Sequence, residues 1–148
     1  MLFDISKLFL TFLSLIGLIT IGVMHCCWQI GQGWDVGGAD NVAIAANNLK
    51  ALGGKVGVYG YKCEQISCHD DTEIVLCNDV ANGSMKNAYY INPDAPYLAS
   101  YAEDILRDCY LYQWFGDHRE WFSCGQYFDT DHYNVIVRRP QNQYGRCL

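Results

Sequence analysis

Eight cysteines in 148 residues constrain what this chain can fold into more than any other feature: Cys26, Cys27, Cys63, Cys68, Cys77, Cys109, Cys124 and Cys147. An even count in a short exported chain reads as a disulfide framework, and each native bridge contributes ~2–4 kcal/mol, chiefly by restricting the unfolded chain. Connectivity stays open apart from one restriction. Adjacent Cys26 and Cys27 are expected to take different partners, because a bridge between neighbours demands a strained backbone. The rival use of these residues is a metal site, since Cys63, Cys68, His69 and Cys77 are soft ligands close in sequence. The spacing is loose, contains no C-x2-C knuckle, and an exported thiol oxidises, so neither a metal nor a cofactor is expected.

Export is the reading on which the disulfides depend. Leu8 to Thr20 is nearly all apolar and follows Lys7, with the length of a signal-peptide core, and small residues at Thr20 and Gly22 place cleavage near Gly22. Residues 1–22 are therefore expected to be a signal peptide and 23–148 a single secreted domain of common size. A retained membrane anchor is the alternative, because the apolar run extends to Met24 and reaches about 17 residues, the lower limit of a bilayer span. Without the leader no membrane association is expected, and the mature chain is expected to be an extracellular monomer. Asn82-Gly83-Ser84 is an N-glycosylation sequon in a polar loop.

The chain is 51% hydrophobic and 18% charged, which fits a folded domain and not a disordered or fibrous one. Net charge is −6, unchanged when Asp4 and Lys7 leave with the leader, and Arg138-Arg139 is the only adjacent basic pair. Nucleic acid is thus not an expected partner, because backbone phosphates call for a basic stripe.

Along the chain, Trp28 to Ile30 reads as a short strand before the glycine-rich turn Gly31 to Gly38, with Asp40 as N-cap of a helix from Asn41 to Leu52. Val42, Ala45, Ala46, Leu49 and Leu52 form its apolar stripe, and Gly53-Gly54 stops it. Lys55 to Glu64, Glu73 to Cys77 and Lys86 to Ile91 read as strands. Asn92-Pro93 opens a second helix running to Tyr110, with Leu98, Tyr101, Ala102, Ile105 and Cys109 inward. Glu120 to Tyr127 and Tyr133 to Arg138 read as closing strands, and Cys147 as the pin of the tail. The order predicts an α+β fold: a mainly antiparallel sheet of four to five strands, two helices on one face, stapled by disulfides.

Three segments carry a resemblance: Cys68-His-Asp-Asp-Thr-Glu-Ile-Val-Leu-Cys77-Asn-Asp, Tyr101-Ala-Glu-Asp-Ile-Leu-Arg-Asp-Cys109, and Cys124-Gly-Gln-Tyr-Phe-Asp-Thr-Asp-His-Tyr-Asn-Val-Ile-Val137. Together they resemble fungal small secreted cysteine-rich proteins, many of which are candidate effectors. The cysteine-bridged sheet with two covering helices is also similar to the α/β sandwiches of fungal killer toxins and some plant-pathogen avirulence proteins. The resemblance implies a virulence-associated protein acting outside the fungus or in association with a host, by binding a host or competitor protein or glycan. It implies no catalytic residues.

Four constellations bear on chemistry. Gly31-x-Gly33-x3-Gly37-Gly38 superficially suggests a phosphate cradle, but the parallel βαβ context of a dinucleotide fold is missing. His118, Arg119 and Glu120, with His132 on the next hairpin, are the residue set of a small secreted ribonuclease, although neighbours on a strand face opposite ways. Asp129-Thr130-Asp131 and His69-Asp70-Asp71 lack the glycine and distal glutamate of a calcium loop and read as turns. Aromatic residues concentrate at Tyr110, Tyr112, Trp114 and Phe115, a candidate binding patch, because Tyr and Trp combine large area with a polar edge. The expectation is a non-enzymatic effector-like binding protein, with the hydrolase as alternative.

Overall fold

The computed structural model of the chain describes residues 22–79 and 90–148. The expected leader and the Asn82 sequon lie outside the described residues. The fold is α+β, as the element order predicts. Five strands form an antiparallel sheet in the order β1 (Val23–Cys26), β9 (Gly125–Phe128), β10 (Tyr133–Arg138), β5 (Thr72–Asn78) and β4 (Cys63–His69). Two long helices, α2 (Ala39–Leu52) and α3 (Ala95–Asp108), pack on each other and on one face of this sheet.

Period-2 alternation sends Ile74 and Leu76 of β5, and Tyr133, Val135 and Val137 of β10, toward the helices. There they meet Val42, Ala45, Ala46 and Leu49 of α2 and Leu98, Ala102 and Ile105 of α3 in one core. Ala45, Ala46, Ala99 and Ala102 of the two helices are fully buried in this core. The opposite sheet face carries Val75, Cys77 and Ile136, against which Trp34 packs. Beside them Arg138 pairs with Glu73 at 2.7 Å, and its guanidinium lies 5.4 Å from the Trp34 ring.

A second sheet is built from β2 (Gly37–Gly38), β8 (His118–Ser123) and β7 (Tyr110–Phe115), and a small ladder pairs β3 (Val58–Tyr59) with β6 (Tyr90–Ile91). The Gly37-Gly38 pair serves packing. A Cβ on Gly37 would meet the Thr72 hydroxyl at 2.2 Å, so only glycine lets β2 cross the β4–β5 turn. At that crossing Asp71 accepts hydrogen bonds from the Gly38 N–H (3.0 Å), the Asn41 amide (2.9 Å) and Arg139 (3.2 Å), tying β2, α2 and the C-terminal segment together.

All eight cysteines are paired: Cys26–Cys109, Cys27–Cys124, Cys63–Cys77 and Cys68–Cys147. The neighbours Cys26 and Cys27 do take different partners, and Cys147 does pin the tail. Three members of the loose metal-ligand set, Cys63, Cys68 and Cys77, are thereby engaged in bridges.

Several element readings are corrected. Trp28 to Ile30 is part of a one-turn helix, α1 (Cys27–Ile30), and the strand lies just before it at Val23–Cys26. Asp40 sits in the first turn of α2, and the N-cap is Gly38. The expected strand from Lys55 to Glu64 is interrupted, because Tyr61 takes a positive φ of 59° in the turn between β3 and β4. Helix α3 starts at Ala95 behind Asp94, and ends at Asp108, where Cys109 is tied to Cys26. Glu120 to Tyr127 is two strands, which part at Cys124 and enter different sheets. Tyr110, expected as the end of the second helix, instead opens strand β7 (Tyr110–Phe115).

Candidate functional site

The aromatic segment singled out in the sequence is one arm of a β-hairpin. Strand β7 pairs with β8 from Tyr110↔Ser123 to Phe115↔His118, and Gly116-Asp117 forms the two-residue turn. Gly116 has φ 62°, the left-handed conformation that a type II′ turn requires at its first central position. The register puts Tyr110, Tyr112 and Trp114 on the same side as their cross-strand neighbours Trp121 and Arg119.

This side is open. Tyr110, Tyr112, Trp114 and Trp121 are 55%, 53%, 59% and 50% exposed, although each is large enough to have anchored a core. The rings organise one another: Trp121 lies 5.4 Å from both Tyr110 and Tyr112, inclined at 54° and 62°. The Arg119 guanidinium stacks 4.3 Å from the Trp114 ring centre and 5.4 Å from that of Tyr112. At the base of the hairpin, Tyr110 and Trp121 join Ala39, Asp40 and Leu106 around a shallow cavity of about 310 Å³. The result is an aromatic strip with one stacked cation, held by a short ladder and backed by both helices. Phe115 is the last residue of the strand, next to the turn.

The residues of the hydrolase alternative separate into two places. His118 Nε2 lies 3.0 Å from Glu120 and Nδ1 lies 3.3 Å from Asp117. Both contacts raise the His118 pKa above its usual range, that with Glu120 most. Arg119 is on the opposite, aromatic side of the hairpin. His132 belongs to the β9–β10 turn and lines another cavity, of about 640 Å³, with Tyr90, Pro93, Tyr97 and Asp131; His118 and Glu120 do not line it.

Close to that cavity Asp129 collects hydroxyls. Tyr101 donates to it, Tyr97 donates at 3.3 Å, and Asp129 also accepts the Asp131 N–H at 2.7 Å. Burial first, then the Asp129 carboxylate, push the Tyr101 and Tyr133 phenols far above their normal range. The cluster fastens the β9–β10 turn to α3, so Asp129-Thr130-Asp131 works as turn chemistry. Among the described residues, no group of three or more His, Cys, Asp or Glu side chains is arranged to hold a metal ion. No helix among them is long and apolar enough to cross a membrane.

Sequence reasoning assigns Tyr110, Tyr112 and Trp114 to a binding patch, leaves Trp121 out of it and places Arg119 in the hydrolase set, whereas Trp121 and Arg119 complete the strip. The signal was present: two six-residue runs rich in aromatics, separated by Gly116-Asp117, are the pattern of a two-residue hairpin. Fold and site together define a small disulfide-stapled α+β protein that displays an aromatic hairpin. No family model, curated protein or solved structure matches the chain.

Proposed function

We propose that this chain is an exported, effector-like recognition protein that binds a host or competitor protein through the aromatic face of the β7–β8 hairpin. One observation carries the reading: four large aromatic side chains and one arginine are held half-exposed on one side of a disulfide-backed hairpin, where burial would have been more stable. Tyr, Trp and Arg are the residue types that dominate binding energy at protein interfaces, and pre-ordered rings lose little entropy on binding. The ring geometry favours a protein over a glycan. The rings are inclined to one another, and Arg119 already covers Trp114, so they do not offer the flat platform a sugar chain stacks on. Eight paired cysteines support an oxidising, extracellular destination.

The test is photo-crosslinking from position 114, with a photoreactive phenylalanine in place of Trp114, using the secreted, fully oxidised protein among extracellular and surface proteins of candidate hosts. The expected result is one discrete adduct to a protein other than a second copy of this chain, absent when the same group replaces Leu52, which is also exposed, on α2. Equal labelling from both positions, or retention on glycan beads with no protein adduct, defeats the protein reading.

A further inference from the structure

We infer that the free edge of β7 pairs with the same edge of a second copy, so that two hairpins join in one continuous antiparallel sheet around a twofold axis at Tyr112. The inference concerns the backbone edge and does not rest on the recognition reading above.

Strand β7 is the last strand of its sheet, and among the described residues none pairs with its outer edge. The two-residue turn fixes which backbone groups face outward. The pair closing such a turn, Phe115 and His118, is hydrogen-bonded, and bonded pairs alternate along an antiparallel ladder. Gln113 and Leu111 therefore bond to β8, while Tyr110, Tyr112 and Trp114 turn their N–H and C=O groups outward. A run of unpaired donors and acceptors is a template for another strand.

Among the described residues, the other edges of the two larger sheets are blunted. Edge strand β4 carries exposed Glu64 and a bulge between Gln65 and Ser67, β1 has four residues, and β2 has two. Strand β7 has six residues with no charge, no proline and no bulge. It is also self-complementary. In an antiparallel pair opposite residues share a face, so a twofold axis at Tyr112 sets Tyr112 against the partner's Tyr112 and Tyr110 against the partner's Trp114. Those are the residues with outward backbone groups, and in this register each pair exchanges both N–H···O bonds. The aromatic strips of the two copies then lie side by side on one face, adding cross-strand aromatic contacts. The absence of charge on β7 lets the strands meet despite the net charge of −6 on each chain.

The experiment is sedimentation equilibrium of the full oxidised protein from about 1 μM to about 500 μM, the range of weak to moderate association. Two variants accompany it. Tyr112→Pro removes an N–H that points away from β8, a place where an edge strand tolerates proline. Tyr112→Lys sets two like charges directly opposite each other across the axis. The expected result is a reversible dimer for the unmodified protein and at least ~10-fold weaker association for both variants, each retaining four disulfides by mass and the native near-ultraviolet spectrum. A monomer throughout the range, or a dimer that either folded variant leaves intact, overturns the inference. Crosslinking of a different protein from position 114 reports separately on recognition.

Discussion

Single side chains carry two different kinds of order in this molecule. Asp71 is partly buried, which raises its pKa, yet the hydrogen bonds from Asn41, Gly38, Arg139 and Thr72 together hold the carboxyl below the usual carboxylate range. Its contribution is therefore present at neutral pH and is lost only as pH falls through that lowered value. The tyrosines around Asp129 respond in the opposite direction. Tyr101 and Tyr133 titrate higher in the folded chain than their usual 10.0, through burial and then Asp129. The unfolded chain thus loses these protons first, so stability is full below about pH 10 and declines as pH rises beyond it. Urea midpoints at pH 8, 10 and 11 are expected to fall across the last interval, and Asp129→Asn is expected to reduce the fall; a flat profile would contradict the cluster.

At the scale of the element, the hairpin depends on its turn. A Cβ on Gly116 would meet no atom within 4 Å, so its φ of 62° is the obstacle to substitution. Gly116→Val is expected to cost about 1–2 kcal/mol, the left-handed penalty of a β-branched residue. The check is a chemical denaturation curve with the far-ultraviolet spectrum; no change would mean that β7 and β8 are held without the turn. The same hairpin shows where sequence reading works. Both long helices are legible because each buries an apolar stripe: every stripe residue named for the second helix, Leu98 through Cys109, is buried, and so are Val42, Ala45, Ala46 and Leu49 of the first, while Leu52, also expected inward, is exposed at the helix end. Strand β5 is legible because it is β-branched and apolar, and it is buried throughout. Strand β7 is not, because its large apolar side chains face solvent, which reverses the usual pattern of inside and outside. Glu120 to Tyr127 reads as one strand because nothing local announces that the chain changes sheets at Cys124; the bridge to Cys27 marks that place. The turn at Tyr61 is likewise hidden, since a non-glycine residue seldom adopts a positive φ.

For the molecule as a whole, the four bridges divide the work unequally. Cys26–Cys109 and Cys27–Cys124 fasten the first strand and the turn after it to the end of α3 and to the junction between sheets, across 83 and 97 residues. Cys63–Cys77 spans 14 residues within a ladder that is already paired. In the loop-entropy description a lone bridge across about 100 residues contributes about 4.7 kcal/mol and one across about 15 residues about 3 kcal/mol. The two long bridges share a path, however: while one of them is closed, the other adds a loop of only about 16 residues, comparable to that of Cys63–Cys77. Replacing Cys27 and Cys124 by alanine is therefore expected to lower stability about as much as replacing Cys63 and Cys77, whereas opening both long bridges together is expected to cost more than the sum of opening each, as read by denaturant midpoints; strict additivity of the two long bridges would contradict the shared path. These two long bridges also anchor the region from which the aromatic hairpin projects, so the exposed strip is presented on a stiff base.

Recognition through that strip is tested most directly by measuring the affinity of the protein crosslinked from position 114 for four forms of this chain: unmodified, Trp114→Ala, Trp121→Ala and Leu52→Ala. With folding confirmed by the intact disulfide mass, each tryptophan substitution is expected to weaken binding by about 30-fold or more, the mark of an energetic anchor, and Leu52→Ala to leave it unchanged. Equal affinity for all four forms would contradict the assignment of the hairpin as the binding surface.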